Sequence, residues 1–348
     1  MTRSQPGLFR DQAQACQQLG SPMYAELLAG LADDLEAAGP TARALHGHED
    51  DPGPSGLALR LAGSVHRLVL AGTAPELAAY YPSTGGIWST AGVAAVVELL
   101  DRRASEVRTL LDQPPQTNEV GRSAALLGGL LMAVGRHPLP VRLFEIGASG
   151  GLNLLADRFR CTDDLGRVWG PRRSPVLLEG AWQGAALPLG NELVVAERGG
   201  CDVSPVDVTS EEGRLTLTSY VWPDMTTRHA RLAGAIELAR RLPVRVEQAE
   251  AASYTERLEL QGGRLTVLWH SVMWQYVPRA QQERVTARLA VLGATATDRA
   301  PLVHLFAEPT RRTPEERHRF WVVAETWPGG RREYLGQMAP HGVPVTWD

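Results

Sequence analysis

The chain has 348 residues, and its formal net charge at pH 7 is −4. Hydrophobic residues make up 44% and charged residues 21%, a balance typical of a globular protein with one large domain or two ordinary ones. The small negative charge and the lack of a long basic run argue against binding to nucleic acid or to an anionic membrane surface. All 35 basic residues are arginine, which excludes chemistry that needs a lysine amine.

The three cysteines, Cys16, Cys161 and Cys201, lie far apart in the sequence and form no C-x-x-C pair. This spacing indicates neither a disulfide framework nor a zinc site, so no metal is expected. The N-terminal stretch MTRSQPGLFRDQAQACQQLG lacks the apolar core of a signal peptide, and no segment has the length of a membrane span. We therefore expect a cytoplasmic protein with no membrane partner.

Apolar residues recur at three- and four-residue spacing through the first part of the chain, a pattern typical of amphipathic helices. It predicts five helices, within residues 8–19, 22–38, 56–72, 91–111 and 123–136. No strand pattern accompanies them, so we expect residues 1–138 to form an all-α cap. We interpret the connector HGHEDD (46–51) as a solvated loop rather than a metal site. The aromatic residues of YYPSTGGIW (80–88) either close over a cofactor or substrate or anchor the cap to the sheet domain.

From residue 139 onward, short apolar runs alternate with helical patterns. Strands are predicted within 141–147, 192–202, 244–251, 264–277, 301–309, 319–327 and 332–347, and helices within 152–159, 228–242 and 280–293. The alternation predicts an α/β fold in which residues 139–348 form a Rossmann-like, mostly parallel sheet with an antiparallel C-terminal edge. Residues 160–200, with their prolines and glycines, are expected to form an insertion, either a loop or a small β excursion.

The stretch EIGASGG (145–151) follows the first predicted strand and is compatible with more than one glycine-rich turn. A dinucleotide loop needs glycines at three positions, but Ser149 and Leu152 occupy two of them. A serine hydrolase elbow, G-x-S-x-G, fits Ser149, with Glu308 and His341 following in the order acid, histidine. Against it, the chain upstream of Ser149 has a helical pattern and no oxyanion loop.

The same stretch resembles the first cofactor loop of S-adenosylmethionine-dependent methyltransferases, which has the form acid-x-G-x-G-x-G. Its counterparts here are Glu145, Gly147, Ala148, Ser149 and Gly151, with serine in place of the middle glycine. The resemblance implies that small residues let the backbone pass under the cofactor and that amides of the next helix face its carboxylate. It also implies that Glu145 holds the ammonium group of the cofactor.

Two later segments resemble the second and third strand ends of that family. GGCDVSPVD (199–207) contains Asp202, which the resemblance implies accepts hydrogen bonds from the ribose hydroxyls. VRVEQAEA (244–251) contains Glu250 and Ala251, which it implies contact the adenine. One feature departs from the family, because Asp202 comes 57 positions after Glu145 where about 20 are usual. We assign the difference to the insertion at 160–200.

RLTVLWHSVMWQYV (264–277) resembles the fourth strand, which supplies the methyl-transfer centre. Its catalytic candidates are His270, Trp274 and Tyr276. His270 is a candidate general base for the acceptor, because an ordinary histidine titrates near neutrality. The segment lacks the Asn-Pro-Pro-Tyr or Asp-Pro-Pro-Tyr signature of many amino-group methyltransferases.

Nearly the whole chain also resembles a bacterial family of uncharacterised conserved proteins, known as a domain of unknown function. The matching stretches are FEIGASGGLNLLADRF, GCDVSPVD, SYVWPD, VLWHSVMWQY and WPGG with the later HG. This resemblance implies no activity. The sequence therefore predicts an S-adenosylmethionine-dependent methyltransferase for a small-molecule acceptor. The alternatives are a serine hydrolase that uses Ser149 and a non-catalytic nucleoside-binding or interaction protein of the same fold.

Overall fold

A computed structural model describes residues 4–49, 51, 55–112 and 116–348. The chain divides into two compact units. The first comprises the chain up to Thr117 together with Ser210–His229, and the second comprises Asn118–Thr209 together with Ala230–Asp348. Both units are therefore discontinuous in sequence.

The first unit is helical, as the apolar periodicity predicts. Its helices are α1 (Gln5–Gln18), α2 (Pro22–Glu36), α3 (Pro40–Ala44), α4 (Leu57–Leu70), α5 (Pro75–Ala78), α6 (Ala91–Leu111) and, beyond residue 209, α8 (Glu211–Ser219) and the start of α9 (Thr226–Arg241). The short helices α3 and α5 were not predicted. Both begin with proline. Proline suits the first turn of a helix because it lacks an amide hydrogen, and an amide hydrogen there would have no partner within the helix.

The aromatic connector at 80–88 contributes to the core of this first unit. Tyr81 is fully buried, and the Trp88 Nε1 donates to Glu26 Oε2 at 2.7 Å. In the HGHEDD segment, His46 and His48 pair with nearby carboxylates, while Asp50 lies outside the described residues. No cluster able to hold a metal ion occurs among the residues that the structure describes.

The second unit is built on one sheet of eleven strands. They are β1 (Val141–Ile146), β2 (Arg160–Asp163), β3 (Val168–Trp169), β4 (Leu177–Gly184), β5 (Val195–Asp202), β6 (Val246–Gln248), β7 (Leu265–Ser271), β8 (Leu302–Thr310), β9 (Arg319–Trp327), β10 (Arg331–Met338) and β11 (Val345–Trp347). The spatial order is β3-β2-β4-β11-β10-β9-β8-β7-β1-β5-β6. The block β6-β5-β1-β7-β8 is parallel throughout. The predicted α/β class with a mostly parallel sheet is confirmed.

The predicted antiparallel edge is wrong in its position. Strands β8 to β11 are successively antiparallel, as expected. However, β11 pairs on its other side with β4, and β2 and β3 continue the sheet beyond β4. The segment 160–200 therefore supplies one end of the sheet, because its strands take up the hydrogen-bonding groups that β11 would otherwise leave unpaired.

Four helices of this unit lie outside the strands. They are α7 (Ser123–Arg136), the later part of α9, α10 (Ala251–Glu256) and α11 (Arg279–Thr295). Helix α7 lies within the range 1–138 that was predicted to form the cap, but the compact second unit begins at Asn118. The physical reason is that α7 is apolar on nearly all sides and packs on the sheet, where Trp182 Nε1 donates to the carbonyl of Ala124 at 2.8 Å. In the described parts of both units, every helix is too short or too polar to cross a membrane.

The predicted α-helix at 152–159 is instead a stretch of 3₁₀ helix, Leu152–Arg158. Its first turn is tight because the amide of Leu154 donates to the carbonyl of Gly151, three residues earlier, at 3.2 Å. The predicted strand at 264–277 is also shorter than expected. It ends at Ser271, because Val272 adopts a left-handed conformation with φ of 50° that turns the chain out of the sheet.

Candidate functional site

The strand order reverses at β1, at the centre of the parallel block. From β1 the chain proceeds to β5 and β6 on one side, and then to β7 and β8 on the other. In open parallel sheets, ligands bind in the crevice outside the carboxyl ends of the strands where the order reverses. Most of the site residues predicted from sequence lie at or directly after the carboxyl ends of β1, β5, β6 and β7. We define this edge as the switch-point edge.

The loop at 147–151 requires small residues for steric reasons. Gly147 has a φ of 69°, and a Cβ atom built on it would lie 2.8 Å from the Cε of Met273. Gly151 has a φ of 73°, and its Cβ would lie 2.7 Å from a methyl group of Val246. Both conditions favour glycine, since other residues rarely adopt this backbone conformation. Ser149 adopts it as well, with a φ of 52°, so the loop is strained at a residue other than glycine.

Backbone amides of this loop donate to protein acceptors. The amide of Ala148 donates to the carbonyl of Cys201 at 2.9 Å, and that of Ser149 to Asp202 Oδ2 at 2.8 Å. The amide of Leu152, at the start of the following helix, was among those expected to face a cofactor carboxylate. It donates instead to Asn118 Oδ1 at 3.0 Å. This asparagine holds the helix start where an anionic ligand group was predicted.

Glu145 is the most perturbed acid at the switch-point edge. It lies near the end of β1 with 2% of its surface exposed, and burial raises its pKa from 4.5 to about 8. A hydrogen bond with Asn153 opposes the rise, while the charge of Asp202 adds to it. Among the described residues, its Oε2 atom has no hydrogen-bond partner. A buried carboxyl oxygen without a partner is costly, and a donor or cation supplied by a ligand would satisfy it.

Asp202 and Glu250 lie at the next two strand ends but differ in their surroundings. Asp202 ends β5, and its two oxygens accept from the amides of Ser149 at 2.8 Å and Ser204 at 2.9 Å. Glu250 follows β6, is exposed, and precedes α10 without capping it by its side chain. Ala251, the first residue of α10, is buried. The structure thus links Asp202 directly to the glycine-rich loop and leaves the Glu250 carboxylate at the surface.

His270 lies near the end of β7 and is 2% exposed. Its Nδ1 lies 2.8 Å from Glu308 Oε1, and its Nε2 lies 3.1 Å from Nε2 of His304. The rings of Trp274 and Phe306 stack on the imidazole at centroid distances of 4.9 and 5.3 Å. Both ring nitrogens therefore have protein partners, which leaves no nitrogen of His270 facing a substrate in this arrangement.

The turn after β7 is held by a carboxylate. Glu308 Oε1 accepts from the amides of Met273 at 3.1 Å and Trp274 at 3.3 Å. Val272, in the same turn, has a left-handed backbone conformation. This conformation carries a local energetic cost because valine is β-branched. The two predicted aromatic residues differ, because Trp274 is half-buried whereas Tyr276 is 61% exposed. The strained turn therefore presents Met273 and Trp274 at the switch-point edge.

Three residues that were not predicted from the sequence extend this network. His304 on β8 is buried and its Nδ1 lies 3.1 Å from Glu325 Oε2 on β9, which in turn binds Arg332 on β10 at 2.8 Å. Burial lowers the pKa of His304 to about 4. A signal was available, because His304, Phe306 and Glu308 alternate along a buried strand and so share one face. The register that pairs His304 with Glu325 exists only in the folded sheet.

The acid and histidine proposed for a hydrolase triad do not pair with each other. Glu308 accepts from His270, whereas His341 Nδ1 lies 3.8 Å from Glu119 Oε2. His341 belongs to a turn in which the amide of Gly342 donates to the carbonyl of Ala339. A triad containing Glu308 and His341 is therefore wrong as predicted, because the register of β7 and β8 brings Glu308 to His270 instead.

The sequence model of a bacterial family, described as "Uncharacterized protein conserved in bacteria (DUF2332)", matches residues 7–347. The match spans nearly the whole length, so the chain belongs to this family, as the resemblance in the sequence indicated. Comparison with curated proteins and with solved structures gave no match.

Proposed function

We propose that the chain is an S-adenosylmethionine-dependent methyltransferase that acts on a small molecule, with the cofactor at the carboxyl ends of β1, β5 and β6. One observation carries the proposal. Three acids, Glu145, Asp202 and Glu250, lie at or next to the ends of three adjacent parallel strands, beside a left-handed loop of small residues. When the strands of the parallel block are numbered by their order in the chain, they lie across the sheet in the order third, second, first, fourth, fifth. Doubly wound nucleotide-binding folds have the same order.

The hydrogen-bond acceptors at these strand ends support this cofactor. The unpartnered Oε2 of buried Glu145 suits the ammonium group, because a charge-assisted hydrogen bond would satisfy it. Asp202 already accepts two amides, yet each carboxylate oxygen has a second lone pair, which suits the ribose hydroxyls. Exposed Glu250 and buried Ala251 are assigned to the adenine. The long gap between Glu145 and Asp202 agrees with this assignment, because β2, β3 and β4 take it up at the far end of the sheet.

The remaining candidates are assigned to the acceptor side. S-adenosylmethionine supplies an electrophilic methyl group on a sulfonium, so the chain's own task is to position the acceptor and exclude water. Trp274 and Tyr276 are assigned to the acceptor wall. We assign His270 a positioning role, because it binds Glu308, which in turn holds the amide of Trp274.

Isothermal titration with S-adenosylmethionine tests the proposal. We expect binding to the wild type, and a loss of about 10- to 100-fold in affinity for Glu145→Gln, the equivalent of one charge-assisted hydrogen bond. Affinity should also rise with pH from 6 to about 8, because binding requires ionised Glu145 while the ammonium group of the ligand still carries its proton. Exposed Glu192 provides the matched control, and Glu192→Gln should bind as the wild type does. A folded protein that produces no binding heat contradicts the proposal. Binding without turnover across a library of acceptors would favour the non-catalytic alternative.

One observation favours a second candidate, a serine hydrolase. Ser149 lies on a sharp turn between a central parallel strand and a helix. Its φ of 52° is the strained conformation of a nucleophile elbow. His341 and Glu119 lie 3.8 Å apart in the same unit and would be its base and acid. A fluorophosphonate probe distinguishes the two functions. Labelling of the wild type that disappears in Ser149→Ala supports the hydrolase, and no labelling rejects it.

A further inference from the structure

A continuous chain of hydrogen bonds crosses the second unit from the switch-point edge to a partly exposed ion pair. It runs from Glu308 to His270 at 2.8 Å, from His270 to His304 at 3.1 Å, and from His304 to Glu325 at 3.1 Å. Arg332 closes it by donating to Glu325 at 2.8 Å. The first three side chains are at least nine-tenths buried, whereas those of Glu325 and Arg332 are 23% and 46% exposed.

The number of hydrogens in this chain follows from its geometry. Each of the three hydrogen bonds joins two atoms that could both act as acceptors, so one atom of each pair must carry a hydrogen. Three hydrogen bonds therefore require three hydrogens. Two neutral imidazoles carry only two. This chain of hydrogen bonds therefore contains one hydrogen more than two neutral histidines and two carboxylates provide. Its charge also balances, because the extra proton and Arg332 offset the charges of Glu308 and Glu325.

The acceptors around the chain indicate where the extra proton lies. Glu308 Oε1 accepts two backbone amides besides His270, and Glu325 accepts from Arg332, so both are best satisfied as carboxylates. That leaves the histidines. Burial disfavours a charge on His304. The rings of Trp274 and Phe306 stack on His270, and an aromatic ring face stabilises a cation.

We propose that Glu308, His270, His304 and Glu325 form a proton relay between the switch-point edge and solvent. Each step moves one hydrogen within one hydrogen bond. Transfer from His270 Nε2 to His304 Nε2 leaves His270 neutral, and transfer from His304 Nδ1 to Glu325 then leaves His304 neutral and Glu325 protonated, from where the proton passes to water. In the other direction, transfer from His270 Nδ1 to Glu308 protonates the carboxyl group beside the turn. No bond other than these N–H and O–H bonds forms or breaks.

The titratable and charged groups that face His270 come from strands β8, β9 and β10. Glu308 and His304 lie on β8, Glu325 on β9 and Arg332 on β10. From the turn after β7, Trp274 contributes an uncharged ring face. Glu308 Oε2 has no hydrogen-bond partner within the described ranges, so it is the oxygen that could exchange a proton with a group at the switch-point edge.

Nitrogen NMR of the full chain labelled with ¹⁵N-histidine tests the hydrogen count without cofactor or substrate, and so independently of methyl transfer. At pH 7 we expect the rings of His270 and His304 to carry three N–H hydrogens together. In Glu325→Gln the count should fall to two, because one compensating negative charge is lost. The matched control is Glu333→Gln on β10, whose carboxylate pairs with Arg136 outside the relay, and it should retain three. Two hydrogens in the wild type overturn the proposal.

Exchange of the His270 ring hydrogens with deuterated water tests conduction. His304→Gln interrupts the relay with an amide that does not pass protons on, and we expect exchange at His270 to slow by at least tenfold. Glu325→Gln, at the half-exposed end, provides a second variant that is less demanding for folding and should also slow exchange. Rates within twofold of the wild type in either folded variant would show that protons reach His270 by another route.

Discussion

Replacement of Glu145 by glutamine tests whether the buried acid of the candidate site is neutral at physiological pH. Burial raises the pKa of Glu145 from 4.5 to about 8, so the folded chain keeps a proton that the unfolded chain has lost. A group whose folded pKa is raised stabilises the protein below its unfolded pKa, and this stabilisation is lost as pH rises through the folded pKa. At 1.36 kcal/mol for each pH unit, the loss is about 3 kcal/mol at pH 7 and about 5 kcal/mol above pH 8.

Glutamine resembles the protonated acid in shape but does not titrate. We therefore expect Glu145→Gln to have nearly the stability of the wild type at pH 5 and to exceed it by several kcal/mol at pH 9. Because whole domains are stable by only about 5–15 kcal/mol, a difference of this size is readily measured. The assay is urea unfolding at pH 5, 7 and 9, with m-values compared to verify that the same surface unfolds.

The control for this experiment is Glu192→Gln, which removes an exposed carboxylate and the same formal charge. Its stability difference from the wild type should not change with pH. If the difference between Glu145→Gln and the wild type also stays constant within about 1 kcal/mol from pH 5 to 9, Glu145 is ionised in the folded state and burial does not raise its pKa.

Three further predictions concern other parts of the chain. Burial lowers the pKa of His66 from 6.5 to about 3, so its contribution to stability is present above pH 6.5 and is lost on acidification. The free energy of unfolding, measured in urea, should therefore fall between pH 7 and 4 by about 3 kcal/mol less in His66→Gln than in the wild type. Asp224 accepts hydrogen bonds from the amide of Met23 and from a serine hydroxyl at the start of α2. Asp224→Ala should therefore destabilise the first unit by about 1–2 kcal/mol and lower its melting temperature, and Asp224→Asn should lower it less. Gly147→Ala should cost about 1–3 kcal/mol because of its left-handed backbone and the contact with Met273, whereas Gly190→Ala, with open space around it, should leave the melting temperature nearly unchanged.

Most elements of both units could be predicted from the sequence, because the signal for each is local. The apolar periodicity of α2, α4 and α6 reflects one buried helix face, and the continuous apolar runs of β7 and β8 reflect strands buried on both faces. The left-handed turn at 147–151 was also recognisable, since glycines after a strand indicate it. By contrast, the end of β7 was misjudged, because nothing in the local pattern predicts a left-handed valine.

The candidate site was predicted only in part. Glu145 and Asp202 lie at neighbouring strand ends as expected, and Asp202 contacts the loop through the amide of Ser149. The surroundings of His270 were not foreseen, because its partners Glu308 and His304 lie more than thirty positions away in the chain. Spacing along β8 could have placed those two on one face, but it does not specify which neighbouring strand they meet.

Sequence alone determined most of the elements, their type and the small residues that the loop after β1 requires, because backbone conformation and the burial of one face depend on residues within a few positions of each other. The folded sheet decided the order of its strands, the addition of β4 to β11, and the register that joins His304 to Glu325. These pairings form between backbone groups that every residue carries. Their choice therefore depends on how distant segments pack together, and no single stretch of the chain encodes it.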